Sequence, residues 1–75
     1  MPERTYKLVE LVGVSEQSSE EAIRNAIARA AETLQALDWF EVVETRGTIG
    51  EGQVAQFQVR LRVGFRVLAP EDLAR

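Results

Sequence analysis

The sequence predicts an α+β domain of β-α-β-β order, three strands and one helix, on three observations. Apolar residues recur at spacings of three and four from Ala22 to Leu37, which marks one face of a helix. Apolar and polar residues alternate without interruption from Ala55 to Val67, which marks a half-buried strand. Gly50-Glu51-Gly52 supplies a hairpin connection between that strand and the segment before it.

The first strand is expected from Thr5 to Val14, rich in valine, leucine and tyrosine and stopped near Gly13. Tyr6, Leu8, Glu10 and Val12 share one of its faces, and Lys7, Val9, Leu11 and Gly13 the other. After the polar turn Ser15–Ser19, Ser18 followed three residues later by Glu21 has the form of a capping box, so a helix starts there. Ala22, Ile23, Ala26, Ile27, Ala30, Leu34 and Leu37 form its apolar stripe and carry it to about Leu37. Its alanines make that face thin, so whatever covers it can approach closely. The second strand is expected from Trp39 to Ile49, with Phe40 and Val42 on one side and Trp39, Glu41, Val43 and Thr45 on the other. The last strand sets Ala55, Phe57, Val59, Leu61, Val63, Phe65 and Val67 against Gln56, Gln58, Arg60, Arg62, Gly64 and Arg66. At ~3.3 Å per residue it spans ~40 Å, long enough for part of it to pack beyond its own chain. The last two strands form an antiparallel hairpin, while the long connection from the first strand to the second permits a parallel or an antiparallel outcome.

With 75 residues there is room for one domain, and a chain this short buries only about 60% of the surface it exposes when unfolded. There is no cysteine and no histidine, which removes disulfides and most metal sites as a source of stability and points to oligomerisation. The same absence removes the usual nucleophiles and neutral-pH proton shuttles. The formal charge of −3 gives no general attraction for nucleic acid, so no nucleic-acid partner is expected. No apolar run approaches bilayer length, and Met1-Pro2-Glu3-Arg4-Thr5 has no apolar stretch after its charges, so no membrane partner and a cytoplasmic location are expected.

Trp39 is the single tryptophan and stands where the helical pattern gives way to a strand. Its large polarisable ring fits either an anchor at a junction or interface, or a platform for a planar ligand. Gln58 and Arg46 lie on strands as polar residues whose ordinary role is a solvated face.

The segments Tyr6–Gly13, Ala26–Ala30, Asp38–Gly47 and Phe57-Gln58-Val59, ending in Val63-Gly64-Phe65-Arg66, together resemble the dodecins. The likeness runs from about Tyr6 to Val67 in the same order and with comparable spacing, so a single domain is set at residues 4–68, with a C-terminal tail over 69–75 that frays. The resemblance implies an antiparallel sheet wrapped around the helix, in a protomer of which twelve copies build a hollow particle. It implies flavin bound near two-fold axes, paired rings lying between two tryptophans, for storage, buffering and photoprotection. Trp39 matches the stacking tryptophan, and Gln58 the glutamine whose carboxamide bonds the ring edge, where donors and acceptors alternate. Arg46 stands where bacterial-type members carry an arginine that accompanies phosphate-bearing ligands, so FMN is favoured over riboflavin or FAD. Coenzyme A is a further ligand in some relatives. Phe57 departs from the family, many members of which have tyrosine there.

An enzyme is not expected. A flavin sandwiched between Trp39 and a second flavin leaves no space for a substrate, and Glu41 and Glu44, three apart on a strand, should point to opposite faces. The alternative to flavin storage is a structural or peptide-binding oligomer in which Trp39 serves assembly. Gly50 and Gly52 precede no helix and form no phosphate loop. Arg60, Arg62 and Arg66 lack interleaved exposed aromatics and are expected to meet glutamates of neighbouring subunits. Lys7, Arg60 and Arg66 are secondary candidates for anion contacts.

Overall fold

The computed structural model describes residues 3–70. Strand β1 (Tyr6–Ser15), helix α1 (Ser19–Ala30), strand β2 (Leu37–Gly50) and strand β3 (Gln53–Arg66) follow in the expected order. They form one antiparallel sheet in the order β1-β3-β2 with the helix against it. The question left open by the long first connection resolves through β3: both outer strands pair antiparallel to it, so β1 and β2 run in the same direction without pairing with each other.

The helix starts where its cap dictates. Glu21 N–H donates to Ser18 Oγ at 3.0 Å, satisfying one of the free amides of the first turn. The reciprocal arm of a capping box is replaced: the Ser18 and Gln17 amides donate to Ser15 Oγ, at 3.4 Å and 2.9 Å. Glu20 and Glu21 in the first turn and Arg29 in the last complement the helix dipole.

The helix ends earlier than its periodicity suggests. Ala30 is its last residue, the amides of Ala31 to Leu34 close tight turns onto Ile27, Arg29 and Ala30, and Ala36 adopts φ 61°. That left-handed residue reverses the chain so that Leu37 can pair opposite Phe65. A helix continued to Leu37 would carry the chain away from β3. Leu37 still packs against the core, from a strand, and this accounts for its place in the helical pattern.

The core is thin and centred on β3. Val59 and Leu61 are 0% exposed and meet Ala22, also 0%, with Ala26 and Val63 beside them. Burying Leu61 contributes about 1.5–3 kcal/mol. Val9, Leu11, Ile23 and Ile27 close the edges. The alanine face does permit close approach: a Cβ on Gly13 would lie 2.0 Å from the Ala22 carbonyl oxygen, so β1 touches the helix backbone there.

The hairpin turns on Glu51 and Gly52, at φ 53° and 78°, a two-residue turn of the primed type that suits the twist of its strands. β1 pairs with β3 only from Phe57 to Arg66, so the β2–β3 tip runs past both β1 and the helix. The molecule therefore measures 54 × 20 × 14 Å. Ile49 is 80% exposed at this tip, and Leu8, Val12, Phe40 and Val42 are exposed on the two sheet faces. Among the described residues no helix is long and apolar enough to cross a membrane. The tail expected to fray lies, from residue 71 onward, outside the described residues.

Candidate functional site

The sheet face away from α1 gathers the residues that the sequence singles out. On β3 this face is Gln56, Gln58, Arg60, Arg62, Gly64 and Arg66, the partners of the buried Val59, Leu61 and Val63 in a period-two pattern. Register places Trp39 opposite Gly64, Arg46 opposite Gln58, and Tyr6 opposite Arg66.

Trp39 lies on the backbone of Gly64. A Cβ there would fall 2.4 Å from Trp39 Cε2, 2.5 Å from Cζ2 and 2.9 Å from Cδ2, so the indole rests where a side chain would stand. Trp39 is nevertheless 43% exposed. A bulge between Leu37 and Trp39 turns the strand at this point. Tyr6 reaches over from β1, its ring centroid 6.4 Å from that of Trp39 at 57°, and its hydroxyl donates to Asp38 Oδ2 at 2.8 Å.

Arg46 and Gln58 form a unit of their own. Arg46 Nε donates to Gln58 Oε1 at 2.9 Å, and Gln58 Nε2 donates to Gln56 Oε1 at 3.3 Å. Because arginine only donates, this bond fixes which end of the carboxamide is oxygen. One lone pair on Oε1 and one N–H on Nε2 remain to face a ligand edge. Arg46 Nη1 lies 3.6 Å from Glu44 Oε1, an exposed pair worth at most about 1 kcal/mol.

The structure brings Arg46 and Gln58 together and holds Trp39 apart from them. Gly64 and Gln58 are six positions apart on β3, about 20 Å along the strand. That is further than a three-ring ligand reaches within one protomer.

One expectation is corrected between these points. Glu41 and Glu44 share this face, because the bulge between Val42 and Glu44 adds a residue and restores the side: Glu41 pairs opposite Arg62 and Glu44 opposite Arg60. Arg60 and Arg62 also find carboxylates in their own chain. Arg60 Nε lies 3.5 Å from Glu10 Oε2 and 3.6 Å from Glu44 Oε1, and Arg62 Nη1 lies 3.7 Å from Glu41 Oε2. Arg66 Nε is buried without a hydrogen-bond partner among the described residues. A cleft of about 560 Å³ opens beside it, lined by Thr5, Lys7, Leu34 and Phe65 among others. Tyr6 and Asp38 are the neighbours of Trp39 that sequence reading did not associate with it. The alternation of the first strand placed Tyr6 on this face, but no local signal carries a contact across a third strand.

The sequence profile of the dodecin family matches residues 5–68. A dodecin of Thermus thermophilus is 61% identical over 64 residues, which are 85% of this chain and 93% of that protein. The solved dodecin of Streptomyces coelicolor matches with a TM-score of 0.88 at 49% identity, covering 92% of this chain and 99% of that one. The dodecin of Streptomyces davaonensis matches with a TM-score of 0.88 at 48% identity, covering 91% and 100%.

Proposed function

The chain belongs to the dodecin family, and on that premise we propose that it is a cytoplasmic flavin-binding storage and photoprotection protein, without catalytic turnover, that works as a hollow homododecamer. The observation that carries this reading is an indole seated on a glycine floor in a tryptophan that stays 43% exposed. A planar platform of that kind suits stacking, and stacking contributes about 0.5–1.5 kcal/mol for each aromatic contact beyond area burial. A bound flavin supplies a light-absorbing ring that accepts an electron from an adjacent indole.

The separation within the protomer supports a site made by two copies. With a two-fold axis beside Trp39 the two indoles face each other across a slot, and the Arg46–Gln58 unit that meets each ring edge is contributed by another copy in the particle. Trp39 then stacks the ring, Gln58 offers its free donor and acceptor to the ring edge, and Arg46 meets a phosphate. The apolar side chains exposed on both sheet faces favour burial between copies. A lone protomer should bind flavin poorly. FMN is the favoured ligand, riboflavin and FAD are weaker ones, and coenzyme A is a further ligand for the particle.

The test is titration of the apoprotein with FMN, following flavin and Trp39 emission while particle mass is measured by light scattering. Stoichiometric quenching of both signals in a particle of twelve chains is expected. A colourless particle that ignores added flavin would leave a structural or peptide-binding oligomer, and a brightly fluorescent complex would sink the stacking arrangement. The role of Arg46 separates by ligand. Arg46→Ala is expected to weaken FMN about tenfold or more, the value of a charge-assisted hydrogen bond. Riboflavin, lacking the phosphate, should change by less than about threefold. Equal losses for the two ligands would remove the phosphate contact.

A further inference from the structure

Three features of the open face are unusual when taken together. Tyr6 is the single tyrosine of the chain, Trp39 its single tryptophan, and the two meet although their strands are not neighbours. Trp39 stands opposite Gly64 and Tyr6 opposite Arg66, the next position on the same face of β3, and the indole, lying on the bare Gly64 backbone, has its ring centroid 6.4 Å from that of Tyr6. The phenol that approaches the indole is itself bonded to a proton acceptor, its hydroxyl donating to Asp38 Oδ2 at 2.8 Å. Asp38 directly precedes Trp39 in the chain, so acceptor and indole are positioned by the same turn into β2.

We propose that Tyr6 and Asp38 form an electron and proton relay behind Trp39, which refills the indole after one-electron oxidation and moves the hole away from the bound ligand. The role in photoprotection rests on the flavin reading above, where the oxidant is the photoexcited ring of a bound flavin. The step itself needs only an oxidised indole.

The balance is as follows. The indole gives one electron to the oxidant and becomes a radical cation. One electron then passes from the Tyr6 phenol to the indole, which returns to its closed-shell form. As it leaves, the phenolic O–H bond breaks and its proton moves along the existing hydrogen bond to the Asp38 carboxylate. A radical cation and a carboxylate are thereby converted into a neutral phenoxyl radical and a neutral carboxylic acid. Loss of two separated charges favours the transfer wherever a second copy covers this exposed face and excludes water, as the assembled particle proposed above does. Recovery reverses it: the oxidant, now reduced by one electron, returns that electron through the indole to the phenoxyl, and Asp38 gives back the proton. Without Asp38, the phenol would have to lose its proton to water or oxidise to a cationic form, and either route is slower.

The test uses the assembled apoprotein and pulse radiolysis with the azide radical, which oxidises indole in preference to phenol at neutral pH. In the wild type the indolyl absorption should decay as the phenoxyl absorption rises, at a rate independent of protein concentration. Tyr6→Phe should abolish the phenoxyl signal and lengthen the indolyl lifetime about tenfold or more. Asp38→Asn, whose carboxamide cannot take the proton, should slow the phenoxyl rise by about tenfold, the kinetic value of one charge-assisted hydrogen bond. Circular dichroism and particle mass check that both variants remain folded and assembled. An indolyl decay in the wild type equal to that in Tyr6→Phe would overturn the relay, as would Asp38→Asn transferring at the wild-type rate. Because no flavin is present, failure to bind flavin would remove the function proposed above and leave this result standing.

Discussion

Gly64→Ala is expected to weaken flavin binding about a hundredfold or more, a loss of ~2.7 kcal/mol, while the fold survives. The added Cβ would fall 2.4 Å from Trp39 Cε2, whereas carbon atoms rest about 3.5–4.0 Å apart. The indole must therefore lift by about 1 Å or swing aside. Its exposed side leaves room for this and no backbone atom has to move, so stability should change by less than about 1.5 kcal/mol. The site has no comparable freedom. In the two-copy site proposed above, two-fold symmetry would apply the displacement to both indoles and narrow the slot between them by about 2 Å, more than half the thickness of one stacked layer. Flavin titration and urea unfolding of Gly64→Ala, with Trp39→Ala alongside, check both halves. The two variants should lose binding alike, and wild-type quenching in Gly64→Ala would mean that flavin does not stack on this face of Trp39.

Gly13→Ala should strike the fold itself. Its Cβ would lie 2.0 Å from the Ala22 carbonyl oxygen, 2.8 Å from the carbonyl carbon and 3.0 Å from Ala26 Cβ. Two of these atoms belong to helix backbone, which cannot rotate out of the way as a side chain can. Relief requires lifting α1 from β1, and with it the fully buried Ala22. Overpacking costs about 1–3 kcal/mol where side chains can yield, and the rigid neighbour here places the loss at or above ~3 kcal/mol. A chain of this size has a total of only ~4–11 kcal/mol to lose. Urea unfolding should show a large drop in midpoint or no folded protein at all. Gly50→Ala is the control, since its Cβ would meet Ala55 Cβ at an ordinary 3.6 Å, and it should stay within about 0.5 kcal/mol of wild type. Matching midpoints for the two variants would show that the helix is not seated on Gly13.

Much of the fold was legible because single residues set it. Ser18 caps the helix by its own hydroxyl, Glu51-Gly52 takes the positive φ values a tight hairpin needs, and the alternation of β3 matches its burial from Val59 to Val63. What escaped depends on pairing between distant segments. The helix stops at Ala30 because Leu37 is needed opposite Phe65, a demand made by a strand almost thirty positions later. The bulge between Val42 and Glu44 has no composition of its own, yet it decides that Glu41 and Glu44 share a face and reach Arg62 and Arg60 of the same chain. The site follows the same division. Trp39, Gln58 and Arg46 stood out by residue type and by family resemblance. The Arg46–Gln58 bond and the Tyr6–Asp38 bond are properties of register, joining residues 12 and 32 positions apart.

Unequal loop lengths in the two halves of the sheet impose an order on folding. The β2–β3 ladder closes outward from a two-residue turn, each pair adding to the last, and a hairpin of this kind forms in about 1–10 μs. β1 must instead find partners about forty or more residues away, ending with Val67 N–H donating to the Thr5 carbonyl at 2.8 Å. The entropy of closing that loop is met late, so the hairpin forms the nucleus and β1 docks onto it with α1. Substitution at Val42 should then slow folding, and substitution at Val9 should chiefly speed unfolding. The opposite partition would place β1 in the nucleus. Until β1 docks, one edge of the central strand stays open, so the interval before docking is when the chain is most exposed to pairing with the wrong partner.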